Sequence, residues 1–134
     1  MISASTPGES DADKSARGIA QKHVYTVLSA HEAVNGQGQT VKLYRIRNPW
    51  GKEHYNGPYS DDDTSRWDTT LQNNVNYHNE NDGTFFIDID TYHAEFEGTS
   101  IHTDTTNMKH SYFLITNDDS TTQADGPYCS FNNC

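Results

Sequence analysis

The 134-residue sequence has the length of about one domain. Only 32% of its residues are hydrophobic, but eight Tyr, five Phe and two Trp can supply a small core, which argues against disorder. The net charge of −10 excludes nucleic acid as an expected partner, because an acidic chain repels phosphates. No apolar run reaches the roughly 18 residues that a membrane-spanning helix needs.

The N-terminal part of the chain contains a predicted β-hairpin. Residues 5–18 are rich in Ser, Gly, Asp and Pro and are typical of a loop. The β-branched and aromatic run 23–30 predicts a strand, and the Asn-Gly pair within 34–40 predicts a hairpin turn. Residues 41–47 alternate in side-chain direction, which predicts a second strand, antiparallel to the first and with one buried face.

A long polar region, residues 52–84, follows the hairpin. Its one sign of regular structure is a short helical turn near 65–73. Spaced aromatic residues, Tyr59 and Trp67 among them, indicate that the region packs onto the domain rather than extending into solvent. The apolar run 84–89 then predicts another strand.

The last third of the chain contains a predicted helix and a predicted strand. Asp90 is expected to cap a short helix that Gly98 ends, and residues 111–117 are typical of a final strand. Together the elements predict a mainly β fold of antiparallel strands with short helices.

His23 and Asn48 lie at the two ends of the predicted hairpin that should come together. His23 opens the first strand and Asn48 follows the second, and antiparallel pairing places these ends side by side. A carboxamide oxygen that accepts the imidazole N–H fixes the tautomer and directs the other nitrogen. Trp50 could shield that hydrogen bond from water and so strengthen it. Taken singly, however, a histidine at a strand end is more often structural, and an Asn before Pro is often only a turn former.

Several motifs occur in a specific order around these two residues. The stretch QKHVYTVLSAHEAVNGQGQTVKLYRIRNPWG combines an H-x-Y-x-V strand, a Gly-containing hairpin and a strand that ends in RNPWG. EHYNGPYSDDDTSRW and NDGTFFIDIDTYHAEF follow it. In this order the motifs resemble the second half of a calpain catalytic core, which is the β-rich half of a papain-like fold. The resemblance assigns residues 1–103 to that subdomain and residues 104–134 to a strand and tail that begin the next module.

The resemblance implies a role for each residue at the end of the hairpin. His23 matches the general base of a cysteine endopeptidase, Asn48 the residue that orients it, and Trp50 the indole that shields both. In the family the nucleophilic cysteine and an oxyanion-hole glutamine lie in a separate, mostly helical subdomain upstream. We therefore expect this chain to be inactive without that Cys-bearing partner, and we interpret Cys129 and Cys134 as incidental thiols. The expected substrates are proteins or peptides, in an intracellular and cytoplasmic location.

The resemblance also implies calcium. The family's Ca²⁺ ligands in this half align with His54, Asp61, Asp82 and Thr84, and a backbone carbonyl aligns with Glu80. Two carboxylates of the pattern are thus replaced, and Asp61, Asp82 and Glu80 remain as the candidate metal residues. Because Ca²⁺ takes six to eight oxygens, we expect weak binding at best. The simpler interpretation is a solvated acidic loop.

Two further interpretations stay open. Lys22 stands where the family has a glycine before the catalytic histidine, and the calcium loop is depleted. Both features favour a calpain-like interaction or regulatory module without catalysis. A stand-alone calcium-binding domain is a weaker alternative.

Overall fold

Five antiparallel strands form one sheet in the order β4-β3-β2-β1-β5. The computed structural model describes residues 1–52 and 54–103. The strands are β1 (Ile2–Ser5), β2 (Val24–Val34), β3 (Thr40–Arg47), β4 (Thr84–Asp88) and β5 (Gly98–Ile101), and the helices are α1 (Thr69–Val75) and α2 (Ile89–Glu95). The mainly β, antiparallel class predicted from the sequence is confirmed. The predicted strand at 111–117 and both cysteines lie outside the described residues, and no helix within them is long and apolar enough to cross a bilayer.

The predicted hairpin is present and makes up the centre of the sheet. β2 pairs with β3 along its length, with an irregularity between Val27 and Ser29 that leaves Leu28 as a bulge. In the turn, the side-chain oxygen of Asn35 accepts hydrogen bonds from the backbone N–H groups of Gln37 and Gln39. Gly38 adopts a φ of +78°, which a glycine accommodates without strain.

Both faces of β3 are buried, so the prediction of a single buried face was wrong. Ile46 packs into a first cluster and Leu43 into a second, because successive side chains of a strand point to opposite faces. The first cluster consists of Ala4, Ile19, Ala20, Tyr25, Val27, Ile46, Tyr55, Phe85, Ile87, Tyr92 and Phe96. The second consists of Ala33, Leu43, Leu71, Val75 and Phe86. Helix α1, which supplies Leu71 and Val75, covers the face that we expected to meet solvent.

Helix α1 spans Thr69–Val75, close to the helical turn predicted near 65–73. Asp68 caps its start by accepting a hydrogen bond from the N–H of Leu71. Asn76 ends it in the left-handed conformation, with a φ of 53°.

Helix α2 exists, but its predicted limits were wrong. Asp88 rather than Asp90 is the N-cap, because β4 runs directly into the helix and the carboxylate of Asp88 accepts an N–H of the first turn. The helix ends before Gly98, which instead begins β5.

Strands β1 and β5 were not predicted. Each has four residues, and each is rich in Ser, Thr or Gly rather than in β-branched apolar residues. β1 nevertheless lies between β2 and β5, where Ala4 is fully buried. Pairing with neighbouring strands, on both sides for β1 and on one side for β5, therefore determines these strands rather than local propensity.

The long polar loop is held by aromatic packing and by one carboxylate. Trp67 stacks on Tyr77 with ring centroids 4.1 Å apart and meets Tyr59 edge-on, which confirms the predicted packing role of Trp67 and Tyr59. The carboxylate of Asp63 accepts hydrogen bonds from the backbone of Tyr59, from the backbone and hydroxyl of Ser65, and from Arg66. Burial alone would raise the pKa of the Asp63 carboxyl, but these hydrogen bonds together outweigh it and hold that pKa well below its ordinary value.

We predict that Asp63→Asn lowers the free energy of unfolding by about 2 kcal/mol at about pH 7. Because the pKa of Asp63 is lower in the folded state, its stabilisation is present above the unfolded pKa of about 3.9 and is lost as pH falls towards the folded value. Urea denaturation of both proteins should therefore show a difference that shrinks at acidic pH. Asp62→Asn, the same change at an exposed neighbour, is the control. A difference that grows on acidification would contradict this assignment.

Candidate active site

The imidazole of His23 and the carboxamide of Asn48 are in hydrogen-bond contact, with 3.1 Å between Nε2 and Oδ1. His23 immediately precedes β2 and Asn48 immediately follows β3, so antiparallel pairing brings them together as the sequence predicted. A carboxamide oxygen can only accept, so Nε2 carries the proton. The second imidazole nitrogen, Nδ1, is left as the basic one.

Asn48 is itself held by its neighbours and is only 3% exposed. Its Oδ1 accepts a second hydrogen bond from the backbone N–H of Trp50, at 3.1 Å. Its backbone N–H donates to the carbonyl of Gly83 at 2.8 Å, and its carbonyl accepts from Gly51 at 3.0 Å. The oxygen that meets the imidazole therefore has two donors and little freedom to turn.

Two aromatic rings contact the imidazole of His23. The indole of Trp50 lies over it, with ring centroids 4.2 Å apart and an interplanar angle of 38°. Trp50 is 45% exposed, so its outer side faces solvent while its inner side covers the imidazole. The buried ring of Tyr25 meets the imidazole edge-on at 4.9 Å.

Tyr25 is a part of the site that the sequence analysis missed. The signal was available, because residues i and i+2 of a strand point to the same face, and Tyr25 follows His23 by two positions. Burial raises the pKa of the Tyr25 phenol, despite the opposing hydrogen bond from the backbone of Ala20. The phenol is therefore neutral at physiological pH and places no negative charge beside the imidazole.

Gly83 brings the loop before β4 against the site. Its φ is +83°, and a Cβ at this position would lie 2.9 Å from the carbonyl oxygen of Asn48 and from the backbone of Gly51. Only glycine permits so close an approach without displacement. The glycine in the NDGTFFIDIDTYHAEF stretch thus has a physical reason, which is that the backbone of Gly83 is a direct partner of Asn48.

The three candidate metal residues do not form a common site. Asp61 lines a polar cavity of about 460 Å³, together with His54, Tyr55, Asn56, Asp62, Asn79 and Asn81. Asp82 instead accepts a hydrogen bond from the N–H of Thr84 at 2.7 Å, and the carbonyl of Glu80 accepts one from the N–H of Asp82 at 2.8 Å. Over residues 1–52 and 54–103, no three His, Cys, Asp or Glu side chains form a group that could hold a metal ion. Because Ca²⁺ also takes backbone carbonyls and water as ligands, calcium binding by these residues stays a prediction.

Comparison with known proteins assigns a family to most of the described chain. The family model described as "Calpain family cysteine protease" matches residues 1–103. Calpain-9 of Rattus norvegicus is 34% identical over 86 residues, which cover 63% of this chain and 12% of that protein. The calpain-type cysteine protease ADL1 of Oryza sativa subsp. japonica is 37% identical over 78 residues, and DEK1 of Zea mays is 45% identical over 62 residues. These two segments cover 58% and 46% of this chain, respectively, and 3% of each plant protein, so the chain spans a small part of the relatives it matches.

We predict that Gly83→Ala destabilises the protein by about 2 kcal/mol or more and shifts the resonances of Asn48 and His23. The matched control is Gly38→Ala, which has a similar φ of +78° but would meet no atom within 4 Å. Thermal unfolding and two-dimensional NMR of both variants separate backbone strain from contact with Asn48. Equal losses of thermal stability in the two variants, with the Asn48 resonances unchanged in Gly83→Ala, would contradict the packing of Gly83 against Asn48.

Proposed function

Because this chain belongs to the calpain family of cysteine proteases, we propose that it supplies the general-base half of a peptidase active site, with His23 as base and Asn48 as its orienting residue. The observation that supports this most directly is the hydrogen bond from His23 Nε2 to Asn48 Oδ1. It leaves Nδ1 as the nitrogen that can exchange a proton with a thiol.

The proposed reaction begins when Nδ1 of His23 takes the proton of a cysteine thiol supplied by the partner subdomain. The thiolate attacks the peptide carbonyl carbon, and the tetrahedral intermediate collapses as the imidazolium protonates the leaving amine. The C–N bond breaks and an acyl-enzyme thioester remains. Nδ1 then accepts a proton from water as the water oxygen attacks the thioester carbon. The C–S bond breaks, the carboxylic acid product leaves, and the imidazolium returns its proton to the thiolate.

Asn48 and Trp50 have supporting roles in this scheme. Asn48 holds the imidazole in one tautomer through both proton transfers, so Nδ1 stays directed at the reacting atoms. Trp50 covers the imidazole and would keep water from the hydrogen bond, which is stronger in a drier environment. Protein or peptide substrates follow from the family, and we keep the cytoplasmic location as part of the proposal.

No step of the proposed reaction passes through Ca²⁺, because the candidate residues Asp61, Asp82 and Glu80 do not form a group that holds a metal. What remains near Asp61 is a polar cavity lined by two carboxylates, those of Asp61 and Asp62, together with His54 and neutral amide groups. Such a donor set would favour only weak binding, since Ca²⁺ affinity falls with the number of charged ligands.

The non-catalytic alternative has one structural observation in its favour. Lys22, which replaces the family's glycine, has a φ of 46°, a left-handed conformation that lysine rarely adopts. A chain released from selection for catalysis could tolerate such strain next to the histidine. Activity assays of the reconstituted core distinguish the two functions.

We predict that the chain alone leaves a peptide reporter uncut, and that it cleaves the reporter when mixed with a Cys-bearing calpain subdomain. His23→Ala should then lower the cleavage rate by about 10² to 10⁴, the contribution typical of a positioned general base. His93→Ala, at an exposed histidine of α2, should leave the rate unchanged. Cleavage by the chain alone, or equal rates for His23→Ala and the unchanged chain, would contradict the proposal. Binding of the two subdomains without cleavage would favour the interaction module.

We predict that Ca²⁺ raises the melting temperature only in the millimolar range, by a few degrees at about 10 mM, since a ligand that binds only the folded state stabilises it by mass action. Mg²⁺ at the same concentration controls for ionic strength, and Asp61→Asn should remove the shift. A melting-temperature shift at micromolar Ca²⁺ would reveal a dedicated site and contradict the weak binding that these ligands predict. No shift at about 10 mM would exclude calcium binding in that range.

A further inference from the structure

The β1–β2 ladder has an unusual end at His23. Its last regular pair is Ser5 with Val24, so Thr6 and His23 would be the next pair. The backbone N–H of Thr6 donates to the carbonyl of His23 at 3.0 Å, as a continued ladder requires. The return bond is different, because the N–H of His23 donates to the side-chain hydroxyl of Thr6, also at 3.0 Å. One residue thus holds both backbone polar groups of His23.

The hydroxyl of Thr6 also has a partner for its proton. Thr6 is 3% exposed, and its Oγ1 lies 2.8 Å from the carbonyl oxygen of Ala20 and 3.2 Å from that of His23. With one proton to donate, the hydroxyl makes its shorter bond to Ala20 while it accepts from His23. The N–H of Ala20 donates in turn to the phenol oxygen of Tyr25, the ring that contacts the imidazole.

The chain enters His23 from a residue in a left-handed conformation, which an anchor on the following backbone would offset. Lys22 has a φ of 46°, and its N–H donates to the carbonyl of Pro7 while its ammonium donates to the carbonyl of Glu9. Without a fixed backbone after this kink, the imidazole could leave Asn48 by a small rotation of the main chain. A side chain leaves its backbone in a direction that φ and ψ control, so anchoring both polar groups of His23 anchors its ring.

We propose that Thr6 is a positioning residue for His23, whose hydroxyl holds the main chain of His23 so that Nε2 meets Asn48. Thr6 touches no reacting atom and acts only through His23. Its importance for proteolysis rests on the function proposed above, but its effect on the imidazole is a separate physical claim that this chain can test alone.

The test is the solvent exchange rate of the His23 Nε2 proton, measured by NMR on the 134-residue chain. Thr6→Val keeps the shape of the side chain and removes the hydroxyl, so the His23 N–H and the Ala20 carbonyl lose their partner. We expect the Nε2 proton to exchange about tenfold faster or to become unobservable, as the loss of one buried hydrogen bond implies. Thr6→Ser, which restores the hydroxyl, should return the rate to that of the unchanged protein.

A matched control separates positioning from general destabilisation. Thr99→Val, on β5, removes another threonine hydroxyl, which is hydrogen-bonded to Tyr92 of α2 rather than to His23, and should leave the Nε2 proton unaffected. An unchanged Nε2 exchange rate in Thr6→Val, or a rate raised equally by Thr99→Val, would overturn the proposal. If Thr6→Val does not fold, amide exchange of the unchanged protein decides: protection of the His23 amide like that of Tyr25 and Ala4, the next hydrogen-bonded pair of the ladder, supports the proposal, and free exchange refutes it. Because none of these readouts needs proteolysis, failure of this role and failure of the proposed function are distinguishable.

Discussion

A single carboxamide oxygen, Oδ1 of Asn48, organises the candidate active site. It accepts the imidazole proton of His23 and the backbone proton of Trp50, which fills its two lone-pair directions. The first hydrogen bond fixes the histidine tautomer, and the second fixes the turn that carries the indole. The direction of Nδ1, and with it any base chemistry, therefore depends on this one acceptor.

Elements from both sides of the hairpin keep that acceptor and its donor in place. On the side of β4, Gly83 accepts from the backbone of Asn48 and tolerates an approach that a side chain would block. On the side of β1, Thr6 holds both backbone groups of His23. The sheet supports the backbone on which His23 and Asn48 sit, because β3 is packed on its two faces by separate clusters. The site is thus built at the end of a hairpin that the core packs on both faces.

The sequence was informative where local signals and topology agree. An Asn-Gly turn between two alternating strands predicted the hairpin, and antiparallel pairing then placed His23 beside Asn48. The short strands β1 and β5 could not be predicted, because their pairing with neighbours rather than residue propensity forms them. Asp88 and Asp90 are both plausible caps, and only the continuation of β4 into α2 distinguishes them. The role proposed for Thr6 was hidden because a side chain takes the place of a backbone acceptor.

The most direct measurement is the tautomeric state of His23 from its imidazole nitrogen chemical shifts. A proton on Nε2, with the shift of a hydrogen-bonded donor, and an unprotonated Nδ1 in the neutral ring would agree with the geometry described here. A neutral imidazole protonated on Nδ1, or an equal mixture of the two tautomers, would mean that Asn48 does not hold the ring, and the account of the site would fail.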